Sequence, residues 1–97
     1  MNTVKIANIL EGRNLPEAGM ALYPFIEEAI NSNQTLCIDM EGVDSIPTLF
    51  MNTSFGVALD KFGIQKFKSS ISFAHIKKSQ VDRIKKYLVD YEKAYLV

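Results

Sequence analysis

Residues 35–63 read TLCIDMEGVDSIPTLFMNTSFGVALDKFG, and their order decides the fold. Leu36-Cys37-Ile38 is a short apolar run without strict alternation, the pattern of a strand buried on both faces in a parallel α/β sheet. Asp39 ends the run at the carboxyl edge of the sheet, where loops of open α/β folds carry function. Gly42 permits a tight turn because it takes φ > 0 without steric cost. Val43 and Ile46 return apolar groups to the core on either side of Asp44 and Ser45. Pro47 biases Ile46 away from helix, so the next helix opens no earlier than Thr48. Thr48 is the expected N-cap, its hydroxyl accepting an otherwise unpaired amide of the first turn.

From Thr48 onward Phe50 or Met51, Phe55, Ala58, Leu59 and Phe62 recur at helical spacings, a stripe that packs on the sheet. Asn52, Thr53 and Asp60 face outward. Gly56 inside this helix costs about 1 kcal/mol against alanine unless it lets another group approach closely. Gly63 supplies the left-handed stop.

The pattern ID-M-EGV-x-x-IP-T-x-F-M-N-x-SFG-x-x-L-x-x-FG resembles the bacterial STAS-like domains of unknown function, distant relatives of the anti-sigma-factor antagonists. Ile38 and Asp39 match the strand end, Gly42-Val43 the turn, and Phe50, Asn52 and Ser54-Phe55-Gly56 the helix. In the antagonists a strand, a short acidic loop and a helix opening on a hydroxyl residue form the site a kinase recognises, and Thr48 falls at that hydroxyl. The resemblance therefore implies a non-enzymatic signalling module without a cofactor, docking a protein such as a histidine-kinase-like ATPase. One departure limits it. The antagonists carry an Asp-Ser-Ser-Gly style loop, whereas this chain has Ile46-Pro47-Thr48-Leu49, so phosphorylation does not follow from the likeness.

The flanks fit one small α/β domain over residues 1–97. A chain of this size has room for one core, burying about 60–65% of its unfolded surface. Val4 to Leu10 reads as a first strand. Asn14-Leu15-Pro16-Glu17 is a capping signal for a helix whose stripe is Ala18, Leu22, Phe25, Ile26, Ala29 and Ile30. Pro24 within it predicts a kink or break near Tyr23, because proline removes a helix hydrogen bond and crowds the carbonyl of Met20. Phe67 to Phe73 reads as a third strand, with Ile71 and Phe73 inward. Ser79-Gln80-Val81-Asp82 caps a last helix with Val81, Ile84, Leu88, Tyr91 and Tyr95 on one face. The expected fold is a small STAS-like sheet of three to four strands with about three helices, in the order β-α-β-α-β-α with right-handed crossovers.

Net charge is zero, yet the two ends of the chain differ in sign. Residues 1–60 hold two basic and eight acidic groups, and residues 61–97 hold nine basic and three acidic. Such a dipolar chain either steers a partner, drives self-association, or neutralises itself on folding. Lys77, Lys78, Arg83, Lys85 and Lys86 cluster at the last helix. Without overall positive charge, a helix-turn-helix or an RNA-binding aromatic motif, they read as a solvated face and no nucleic-acid partner is expected.

Catalytic chemistry finds little support. Cys37, the sole cysteine, reads as an inert core residue. His75, the sole histidine, lacks the companions of a transition-metal site. Asp39, Glu41 and Asp44 are a carboxylate set for Mg²⁺ in principle, but no phosphate-binding loop completes a phosphoryl-transfer site, so together with Ser45 they read as an acidic docking loop. There is no secretory leader pattern and no apolar run long enough to span a bilayer, which predicts a cytoplasmic protein with no membrane partner.

Thr48 carries the sharper alternative. As a cap alone it contributes about 1 kcal/mol. As a phosphoacceptor it gains about two negative charges beside Asp39, Glu41 and Asp44, changing the docking surface without unfolding the domain. Ser45 and Ser54 are weaker acceptors. Two classes remain: a regulatory protein-binding module switched at Thr48, or a constitutive homodimer or complex subunit without switching. Exposed Tyr87, Val89 and Leu96 would favour the second class, and an exposed Thr48 corner the first.

Overall fold

The computed structural model describes the backbone of residues 2–96 and the side chains of residues 2–94. The described chain runs β1 (Asn2–Lys5), α1 (Ile6–Leu10), α2 (Leu15–Asn31), β2 (Leu36–Asp39), α3 (Thr48–Thr53), α4 (Phe55–Phe62), α5 (Ile64–Ser70), β3 (Ile71–Ala74) and α6 (Lys78–Leu96). The strands form a parallel sheet in the order β1-β2-β3, with Ile38 opposite Val4 on one side and Phe73 on the other. The small α/β layout matches expectation. The helix count and order do not, because six helical segments stand where about three were expected.

Val4–Leu10 is not one strand. Ile6 and Ile9 are buried three residues apart, a helical spacing, and the chain turns from β1 into α1 at Lys5. Residues 48–63 are not one helix either. Ser54, at φ −121° and ψ −78°, separates α3 from α4. Its buried hydroxyl donates to Phe50 O at 2.7 Å, giving that carbonyl a partner at the break. Phe67–Phe73 divides as well: Phe67 and Ser70 are buried one helical turn apart in α5, and only Ile71–Ala74 is extended. Phe67 meets Phe55 edge-on with ring centroids 5.3 Å apart, and Phe55 in turn meets Phe50 and Phe73. This aromatic chain ties α3, α4, α5 and β3 to one core.

The helix α2 passes through Pro24 without the expected break. Leu22, Ile26, Ala29 and Ile30 hold one continuous buried face, while Met20, Pro24 and Phe25 lie on the exposed side, so Phe25 is not part of the inner stripe expected and the carbonyl that loses its partner can turn to water. Its start agrees with the sequence: Asn14 Oδ1 accepts the Glu17 amide at 2.9 Å, and Asn14 Nδ2 donates to Glu17 Oε1 at 2.7 Å. The last helix starts earlier than expected, at Lys78, and Gln80 rather than Ser79 completes its first turn by accepting the Lys77 amide at 2.9 Å. Of its expected inner face, Tyr95 lies outside the described side chains, as does Leu96.

Strand β2 is not buried on both sides. Leu36 and Ile38 point into the core with Val4. On the other face Thr3, Lys5, Cys37 and Ser72 are exposed or half-buried and only Asp39, at the end of the strand, is buried, so Cys37 is not the core residue expected. Gly42 takes φ of +81°, in keeping with its turn role, whereas Gly63, at φ +88° and ψ +163°, ends α4 with a positive φ but not in the left-handed helical conformation expected, and α5 begins at the next residue.

Candidate functional site

The loop after β2 and the start of α3 meet α6 through three side chains spaced one helical turn apart. Arg83, Tyr87 and Tyr91 stand at i, i+4 and i+8, so they line one edge of α6. Arg83 Nε donates to Ile46 O at 2.6 Å and its Nη2 to Thr48 Oγ1 at 2.8 Å. The Tyr87 hydroxyl donates to Asn52 Oδ1 at 2.9 Å, and that of Tyr91 to Asp60 Oδ1 at 2.7 Å. The partners rise along α3 and α4 in the same order, so α6 runs alongside them like a rail on three rungs. Burial and the charge of Asp60 together push the Tyr87 phenol above its ordinary pKa.

Thr48 is not the N-cap. Pro47 occupies that position, its carbonyl accepting the Met51 amide at 3.2 Å, and no side chain caps the helix. Thr48 is instead the first helical residue. Its side chain is exposed and its hydroxyl accepts from Arg83. A cavity of about 370 Å³ opens beside it, with Arg83, Lys86, Tyr87 and Asp90 in its walls. Lys86 Nζ contacts Asp90 Oδ2 at 3.1 Å within that wall.

The acidic loop is not gathered around Thr48. Asp39 is buried, accepting the Glu41 amide and lying 2.9 Å from His75 Nδ1 through the same carboxylate oxygen. The Glu41 amide and His75 hold the Asp39 carboxyl below its usual range, and that carboxylate lifts the His75 imidazole above its own. Glu41 is exposed, 4.0 Å from Lys5 Nζ. Asp44 contacts Lys77 Nζ at 2.9 Å, which lowers its pKa. Asp44 and Ser45 instead flank a second shallow cavity with Ala7, Leu10 and Leu15. The three carboxylates of the loop therefore each face a different basic partner: Asp39 faces His75, Glu41 faces Lys5 and Asp44 faces Lys77. No group of three or more His, Cys, Asp or Glu suited to a metal ion exists among the described residues. None of the described helices is long and apolar enough to cross a membrane.

The helix residues of the sequence pattern divide between core and rail. Phe50 and Ser54 are fully buried, and burial removes Ser54 from use as a phosphoacceptor. Asn52 and Gly56 both serve Tyr87: the first accepts its hydroxyl, and a Cβ on the second would stand 2.7 Å from that hydroxyl. The sequence alone does not single out Arg83 and Tyr87: the basic run reads as a solvated face, and Tyr87 enters only as a residue whose exposure would favour a constitutive assembly. The spacing of 83, 87 and 91 was the available signal. Gln80 was also missed. It is buried, and its Nε2 donates to Val43 O at 2.6 Å, so it fastens the start of α6 to the loop after β2.

The described ion pairs also account for part of the charge asymmetry. Lys61 with Glu27, Lys77 with Asp44 and His75 with Asp39 each join the basic end of the chain to the acidic end.

The small α/β layout, with its parallel sheet, its turn at Gly42 and its helix opening at Thr48, is consistent with a STAS-like fold. Residues 18–81 match the family model described as the STAS-like domain of unknown function (DUF4325), and the chain belongs to that family. No curated protein and no solved structure matches it. The matched span contains Thr48, Asn52, Gly56 and Asp60, whereas Arg83, Tyr87 and Tyr91 lie beyond it.

Proposed function

We propose that this chain is a non-enzymatic regulatory module that docks a protein partner through the Thr48 corner and is switched by phosphorylation of Thr48. The carrying observation is the Arg83–Thr48 hydrogen bond at 2.8 Å on an exposed hydroxyl that caps nothing. A kinase would form a bond from Thr48 Oγ1 to the γ-phosphorus of a nucleoside triphosphate, releasing the diphosphate and the hydroxyl proton. The product carries about two negative charges and three acceptor oxygens, in place of one hydroxyl accepting one bond from Arg83. Arg83 then gains a charge-assisted contact, and Lys86 is drawn from Asp90 toward the phosphate. The modification thus tightens α6 onto α3 and turns a basic corner acidic. Leu49, 56% exposed beside Thr48, gives a partner an apolar anchor at the same corner.

The test is to recover the tagged chain from its native host, identify co-purifying proteins and measure phosphate on Thr48 by mass spectrometry. The expected result is a kinase-like ATPase partner and a modified Thr48. Thr48→Ala then abolishes the modification, and Thr48→Glu weakens partner binding more than it lowers the melting temperature. Wild-type binding by Thr48→Asp, with no phosphate in cells, overturns the proposal.

A further inference from the structure

A groove of about 610 Å³ runs along the flank of α6 away from the Thr48 corner, between that helix and the end of β3. Phe73, Ile76, Val81, Leu88 and Val89 give it an apolar lining, and Val89 is 47% exposed. Lys85 and Glu92 stand on its α6 side. Val81, Lys85, Leu88 and Glu92 follow one another at steps of four, three and four residues, a single stripe of helix surface. Among the described residues neither Lys85 nor Glu92 takes part in an ion pair.

We infer that this groove receives α6 of a second copy of the chain, the two helices running antiparallel about a two-fold axis between Leu88 and Val89. The charges select this occupant. Lys85 lies three residues before Leu88 and Glu92 three residues after Val89, so the axis brings Lys85 of each copy to Glu92 of the other. The same axis sets Leu88 against Val89, closing the apolar centre between two ion pairs about 10 Å apart along the helix. A parallel pairing in register would instead oppose Lys85 to Lys85 and Glu92 to Glu92, which like-charge repulsion disfavours. The pairing needs no modification of Thr48 and leaves the Arg83 edge of α6 free for its own contacts.

Sedimentation velocity over a broad range of protein concentration tests it. The wild type shows a reversible monomer–dimer equilibrium that weakens with added salt. Val89→Lys raises the dissociation constant at least about tenfold, and Lys85→Glu raises it about three- to tenfold. The double variant Lys85→Glu with Glu92→Lys restores it to within about twofold of wild type, because the swapped charges still meet across the axis. Circular dichroism melts confirm that each variant folds. A chain that stays monomeric at every concentration overturns the inference. So does a dimer indifferent to Val89→Lys, or a charge swap as weak as Lys85→Glu alone.

Discussion

The Tyr87 hydroxyl lies 2.7 Å from the point where a Cβ on Gly56 would stand, so the absence of a side chain at Gly56 leaves the space this tyrosine uses to reach Asn52. In an exposed helix, glycine to alanine gains about 1 kcal/mol from backbone propensity alone. Here the gain is opposed, because the new methyl pushes the hydroxyl off Asn52 and loses a hydrogen bond worth about 1 kcal/mol. Gly56→Ala is therefore expected to leave stability nearly unchanged, whereas the same change in a Tyr87→Phe background stabilises by about 1 kcal/mol. Urea titration of the four members of this cycle reads the difference as a coupling energy. Equal effects of Gly56→Ala in both backgrounds would show that the two residues do not interact.

Gly19 makes the opposite case. A Cβ there would fall 1.8 Å from Thr53 Oγ1 and 2.6 Å from the Phe50 carbonyl oxygen. The second obstacle is backbone, which cannot swing aside as a tyrosine hydroxyl can. Gly19→Ala is expected to force α2 and α3 apart and destabilise by about 2–3 kcal/mol despite better helix propensity. A thermal melt at or above the wild-type midpoint would refute this close crossing.

Gln80 fastens α6 at both ends of its amide, with its oxygen on the Lys77 N–H and its nitrogen on the Val43 carbonyl. Gln80→Ala leaves the buried Val43 carbonyl short of a donor and is expected to cost about 1–3 kcal/mol. Gln80→Glu should cost more, because a buried carboxylate then faces that carbonyl. Chemical denaturation ranks the three chains, and a glutamate variant as stable as wild type would place the amide outside this bonding.

The Asp39–His75 pair predicts a pH optimum. Asp39 is depressed, first by the Glu41 amide and then by His75, so its contribution is present above the ordinary carboxylate value of about 4 and lost as pH falls through its lower folded value. His75 is raised, chiefly by its hydrogen bond to Asp39, so its contribution is present below the ordinary histidine value of about 6.5 and lost as pH rises through its higher folded value. Both contributions are present together between those two ordinary values. His75→Gln should flatten the decline on the alkaline side, and an NMR titration of wild type should place His75 above an unperturbed histidine. A titration at or below the unperturbed value would contradict the pairing.

The sequence revealed the middle of the fold better than its joints. The β2 run, the Gly42 turn, the Asn14 cap and the Gly63 stop are local, each written in a few neighbouring residues. The break at Ser54 has no such signature, since Phe50, Phe55, Ala58 and Leu59 keep a helical stripe across it and the discontinuity shows only in backbone angles. The start of α1 was hidden because Val4 and Ile6 alternate like a strand before Ile6 and Ile9 space like a helix. At the site, Thr48 was legible as a hydroxyl opening a helix, while its partner Arg83 lies 35 positions away and is set by packing. A basic run looks the same in sequence whether its members face water or a carbonyl.

The half-open sheet gives the molecule a convenient point of attachment. Its sole thiol, Cys37, sits on the central strand and on the face opposite the buried side chains of Leu36 and Ile38. A single fluorophore or spin label coupled to Cys37 marks the centre of the sheet and needs no cysteine to be introduced or removed. In the otherwise native chain it reports the surroundings of the sheet's open face, and so whatever comes to cover that face.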